Sequence, residues 1–214
     1  MQTGHWPYEI QIAQMRKEKG LVTVPPIYEF KDPALGIAAL GFAILRMPNG
    51  ELNPHGWWLY APNALSLMRS LVIQSCQLEP AHCMSYLKNF QVEIEKVREV
   101  LKECVPIYYK KKVVVMMPVE QYALANFEIK VLKVVQSKGA ILSGRELREA
   151  VDALKKSDAL VISEVSKNVP ATKIMETYAR RLHKPVIEIK VMWGNWKSYD
   201  IYLKQLCTEL RELR

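Results

Sequence analysis

Four short stretches gather the side chains best suited to chemistry. Pro118, Glu120, Gln121 and Tyr122 follow one apolar run, and Ser143, Gly144 and Arg145 close a second. Glu164, Ser166, Lys167 and Asn168 lie within SDALVISEVSKNVP, and Trp193, Gly194, Asn195 and Trp196 follow a fourth run. Each stretch supplies hydroxyl, amide, charged or aromatic groups where an apolar segment stops. Ser, Lys and Asn suit an anionic group, while Trp193 offers a face on which a planar ring stacks. What they do depends on the elements that position them.

From Lys112 onward the chain alternates between apolar runs of strand length and segments of helical period. Lys112–Met117 reads as a strand, followed by helical spacing through Leu124, Phe127, Val131, Leu132 and Val135. Ala140–Gly144 reads as a second strand, and Arg145–Lys156 as a helix with Leu147, Ala150, Val151 and Leu154 inward. Ala159–Ser163 is the third strand. Pro170–His183 is a helix with Ile174, Met175, Tyr178 and Leu182 inward, Pro185–Val191 a fourth strand, and Ser198–Leu213 a last helix. Continuously apolar strands alternating with helices predict an α/β fold, a Rossmann-like parallel sheet with helices on both faces. Such sheets hold ligands outside the carboxyl ends of their strands, where free helix N-termini also favour anions. The four polar stretches are therefore the expected rim, with Pro118, Gly144, Arg145, Ser166, Lys167, Asn168 and Trp193 as ligand-binding candidates.

The first 107 residues read as a mixed α+β region, separate from an α/β domain over 108–214. A helix over 8–19 and a strand at Leu21–Val24 are followed by a hairpin pairing Phe42–Met47 with Trp57–Tyr60. Asn63 is positioned to cap a helix reaching Leu78, and Pro80 to open another reaching Pro106.

The 214 residues carry a net charge of +8, of which +7 belongs to residues 111–214. That asymmetry points to an anionic partner, a nucleotide-like ligand or a nucleic acid. Cys76, Cys83, Cys104 and Cys207 lack regular spacing and fit a reducing, cytoplasmic interior. The opening residues lack the order of a signal peptide, and the apolar run Ala34–Leu45 is too short for the roughly 20 residues of a membrane helix. No membrane partner and no particular cofactor is indicated. His82 and the cysteines lack zinc-ligand spacing. The stripe Tyr202, Leu203, Leu206, Cys207, Leu210 and Leu213 packs on its own domain, with a homodimer seam as the alternative.

Three families share fragments of this pattern. The order of RELREAVDALKKSDALVIS, a helix containing TKIMETYA, and KPVIEI resembles the nucleoside 2-deoxyribosyltransferase-like family over residues 112–191. That resemblance implies Thr172 as a ligand-binding residue and Glu176 as a carboxylate nucleophile cleaving or transferring an N-glycosidic bond. The pieces SKGAILSG, DALVIS, SKNVP and YARRLHKPVIEI resemble kink-turn-binding ribosomal proteins, implying RNA contacts at Gly144, Arg145, Asn168 and Pro170. In VIEIKV, alternation puts Glu188 and Lys190 on one face, as in an edge strand with a wet side. The same pair resembles the Glu-x-Lys of PD-(D/E)xK nucleases, which implies a divalent ion and an upstream acid, here Asp158.

Overall fold

The computed structural model describes residues 43–135, 142–191 and 196–213, with residues 14, 15, 18 and 19. The expected strand at 21–24, and most of the expected helix over 8–19, lie outside the described residues.

A 3-10 turn at Trp57–Leu59 leads into α1 (Ala61–Leu78), and a second at Pro80–His82 into α2 (Cys83–Tyr108). Alternation then follows: β1 (Lys112–Val115), α3 (Pro118–Ala125), β2 (Lys130–Val134), α4 (Gly144–Lys155), β3 (Ala159–Ser163), α5 (Pro170–Arg181), β4 (Val186–Ile189) and α6 (Tyr199–Glu209). The four strands are parallel in the order β2-β1-β3-β4. The expected α/β class is therefore the observed one.

Alternate strand residues feed two cores. Val113, Val115, Ala159, Val161, Ile187 and Ile189 pack with residues of α2, α3 and α6. Val114, Met116, Leu160 and Ile162 pack instead with Ala150 and Leu154 of α4 and Ala171, Met175 and Ala179 of α5. Two covered faces explain why these strands are apolar throughout. The two edge strands are the exceptions: β2 carries Lys130 and Lys133, and in β4 Glu188 points to solvent between the buried Ile187 and Ile189, as its alternation predicted.

Several local expectations are corrected. The second strand is Lys130–Val134, inside the segment read as helix. α3 stops at Ala125, and Glu128, in a left-handed conformation at φ 57°, turns the chain into that strand. Of the expected strand 140–144, residues 140 and 141 lie outside the described set, and Gly144 begins α4. The predicted hairpin reduces to one antiparallel bridge, Arg46 to Leu52, while Trp57–Leu59 coils. α1 begins two residues before Asn63, whose amide instead accepts from Ala43 N at 2.7 Å and donates to Trp57 O at 2.8 Å. α2 runs through Pro106 to Tyr108. On α5, Ile174 is exposed, and Ala171, Thr172, Met175 and Ala179 face inward.

The cysteines overturn the reducing-interior expectation. Cys76 is joined to Cys83 across the α1–α2 turn, and Cys104 of α2 to Cys207 of α6, leaving no free cysteine. The apolar stripe of α6 and of the 3-10 turn Leu210–Leu213 that follows it is buried within the chain, Leu203, Leu206 and Leu210 completely.

Candidate functional site

The strand order reverses between β1 and β3, and the crevice outside their carboxyl ends is where this class of sheet admits a ligand. Glu120 fills its floor. It lies in the first turn of α3, beginning at Pro118, whose fixed φ suits a helix start. From there its side chain turns back under the strand ends. Oε2 accepts from Met116 N at 2.7 Å and Met117 N at 2.9 Å. Oε1 accepts from the hydroxyls of Ser163 at 2.7 Å and Ser166 at 2.6 Å. The residue has no exposed surface. Burial pushes its carboxyl up to about 7, against the opposing pull of those four donors.

The β3–α5 turn is built on the same serines. Ser163 N donates to Ser166 Oγ at 2.8 Å, and the Thr172 hydroxyl donates to Ser166 O at 2.7 Å. On the other flank, the segment before α1 is fastened to α3. Asn53 Nδ2 donates to Pro118 O at 2.8 Å, and the Tyr122 hydroxyl donates to Asn53 O and accepts from Leu45 N at 3.0 Å. Burial pushes the Tyr122 phenol up to about 12. Gly56, at φ 80°, lies so close to Val119 that a Cβ would come within 2.5 Å of its Cγ2. His55 therefore stands beside the start of α3.

The rim continues toward β4, where carboxylates hold successive amides. Glu164 accepts from Val191 N at 3.0 Å, and Glu209 from Lys190 N at 2.9 Å. Trp196 Nε1 donates to Gln205, and its ring meets Tyr202 edge-on at 4.7 Å.

Of the sequence-derived candidates, Pro118, Ser166 and Thr172 come together around Glu120, all buried. Gly144 and Arg145 are exposed and follow β2, which β1 separates from β3, so they do not join Ser166; Arg145 pairs with Glu149 at 3.0 Å. Lys167 pairs with Glu188 at 2.7 Å, and Asn168 is exposed. Glu176 is half-buried on α5, a turn beyond Thr172. Trp193 lies outside the described residues. Sequence reasoning placed Glu120 on the rim but not as its buried centre. The signal was a carboxylate three residues after Met117, the spacing of a helix-start residue reaching back to its cap.

No family model matches the chain, and no curated protein matches it in sequence. Solved structures do match. The SBP FpvC of Pseudomonas aeruginosa in complex with Mn2+ superposes with a TM-score of 0.66 over 98% of this chain and 75% of its own, at 17% identity. A Ni2+ complex of FpvC gives 0.69 over 99% and 75%, also at 17% identity. A Cd-bound periplasmic metal-binding protein from Candidatus Liberibacter asiaticus gives 0.60 over 82% and 68%, at 18% identity. The likeness is one of fold.

These findings correct the functional expectations. The chain's structural likeness runs to metal-binding proteins rather than to nucleoside 2-deoxyribosyltransferases or kink-turn binders. Thr172 spends its hydroxyl on the Ser166 carbonyl, and Gly144 and Asn168 are parted by a strand. The nuclease reading fails on distance. Asp158 precedes β3 and accepts from Lys112 N, whereas Glu188 lies beside Ile162, four residues farther along, or roughly 13 Å at strand rise. The nucleic-acid and nucleotide partners are likewise not what the matching structures hold, which are solved with Mn2+, Ni2+ and Cd. The cytoplasmic expectation falls with the paired cysteines and the periplasmic neighbour. No helix among the described residues is long and apolar enough to cross a membrane.

Proposed function

We propose that this chain is a solute-binding protein of an oxidising, extracytoplasmic compartment, with a divalent transition-metal ion as its cargo. One observation carries the reading: nearly the whole chain follows the backbone of proteins solved with Mn2+ and Ni2+. Four cysteines in two disulfides support the compartment. A binding role also suits the rim, whose buried polar groups are engaged with one another rather than arrayed as a nucleophile and its base. The described residues alone do not supply a coordination sphere. Among them no three His, Cys, Asp or Glu side chains gather as metal ligands do.

Native mass spectrometry of metal-stripped protein, incubated separately with Mn2+, Ni2+, Zn2+ and Cd2+, tests it. One ion retained per chain and removed by a chelator is the expected result. Metal-free spectra with every ion would reject the cargo.

A further inference from the structure

The Ser166 hydroxyl has one proton and two acceptors within reach. Glu120 Oε1 lies at 2.6 Å and the Ser163 carbonyl at 3.3 Å, while Ser163 N donates to the same Oγ at 2.8 Å. The hydroxyl therefore has two settings. That carbonyl also receives Ser166 N at 3.0 Å and Lys167 N at 2.8 Å, and so anchors the turn into α5. The arrangement joins β1, β3 and α5 through one buried carboxylate.

We propose that Glu120 is a proton-operated switch of the β3–α5 turn, the proton on its carboxyl deciding which acceptor the Ser166 hydroxyl takes. With the carboxylate ionised, Oε1 accepts from both serines. When a proton from solvent binds Oε1, the new O–H donates to Ser166 Oγ, and the Ser166 hydroxyl turns to the Ser163 carbonyl. No bond other than that to the proton is made or broken. The rim loses one negative charge, and the turn exchanges a short, charge-assisted bond for a longer neutral one.

The surroundings leave this titration to the cluster itself. Burial raises the carboxyl, and the four donors, all neutral, pull it part of the way back. Charged groups on the elements packed nearby are engaged elsewhere: Glu164 with the Val191 amide, Lys167 with Glu188, and Lys133 of β2 with Glu149. Lys112 and Lys130 stand at the amino ends of β1 and β2, away from the rim. Lys173 is exposed on α5, and His55 stands on the turn before α1. The switch is thereby set to work near neutral pH and requires no bound metal.

Amide chemical shifts of the full chain between pH 5 and 9 test the switch. Met116, Met117 and Ser163 are expected to titrate together with a midpoint of about 7, and this titration is expected to vanish in Glu120→Gln. Flat shifts at these amides, or the same midpoint surviving in Glu120→Gln, would overturn the proposal. If Glu120→Gln does not fold, Ser166→Ala decides. Losing a donor to the carboxylate must move the midpoint upward, and an unmoved midpoint counts against the switch.

Discussion

The Tyr108 hydroxyl of α2 donates to the Cys207 carbonyl of α6 at 2.6 Å, one helical turn beyond the Cys104–Cys207 disulfide. The same two helices are thus joined by a covalent bond across 103 residues of sequence and a buried hydrogen bond across 99. In the chain-entropy account, closing a loop of that length contributes about 4.7 kcal/mol, against about 2.5 kcal/mol for the short Cys76–Cys83 loop. Replacing Cys104 and Cys207 with Ala should therefore lower the melting temperature far more than replacing Cys76 and Cys83. Calorimetric scans of the two double variants, without reductant, check the order.

Gly56 should not tolerate alanine. Its left-handed backbone costs a side-chain-bearing residue about 1–3 kcal/mol, and the added Cβ also meets Val119 Cγ2 at 2.5 Å. Adding Val119→Ala removes the contacting methyl but leaves the backbone cost. Urea unfolding should show a large loss in Gly56→Ala and partial recovery in the double variant.

Asn126 joins the start of α1 to the end of α3. Its side chain accepts from Ala61 N at 2.7 Å and donates to Leu59 O at 2.8 Å, both buried. Asn126→Ala leaves those groups unpaired at about 1–3 kcal/mol each. Asn126→Asp keeps the acceptor and loses the donor. Denaturant midpoints should fall for both variants, with faster hydrogen exchange at Ala61 in the alanine variant.

Glu120 should also shape stability against pH. Its carboxyl is raised from 4.5 to about 7, so the folded chain holds the proton more tightly than the unfolded chain does. Its contribution is most favourable below pH 4.5 and is lost as pH rises toward 7, roughly 3 kcal/mol at 1.36 kcal/mol per unit. Stability of the wild type relative to Glu120→Gln should fall across that window. Unfolding curves collected from pH 4 to 8 measure the difference.

Sequence reading succeeded where one physical signal dominated. Leu147, Ala150, Val151 and Leu154 fall on one face at helical spacing, and Ala159–Ser163 is an unbroken run buried from end to end, so α4 and β3 were legible. β2 was not. Leu124, Phe127, Val131 and Val135 mimic helical spacing, and the chain turns at Glu128 without a glycine to mark the break. Trp57-Trp-Leu-Tyr has strand composition but coils, because Asn63 and Tyr199 bind the Trp57 and Leu59 carbonyls. Cysteine pairing across 103 residues depends on how α2 and α6 meet, which spacing does not encode. Glu120 was visible as a polar rim residue. Its burial became evident only once β1 and β3 were neighbours.

The most direct test of the cargo is a calorimetric titration of metal-stripped, disulfide-intact protein with Mn2+, Ni2+ and Zn2+, paired with melting curves at saturation. The account predicts one site per chain for at least one ion. It also predicts a higher melting temperature, since ligand at 100 times its Kd adds about 2.7 kcal/mol to the folded state. No heat beyond dilution and unchanged melting with every ion would contradict it.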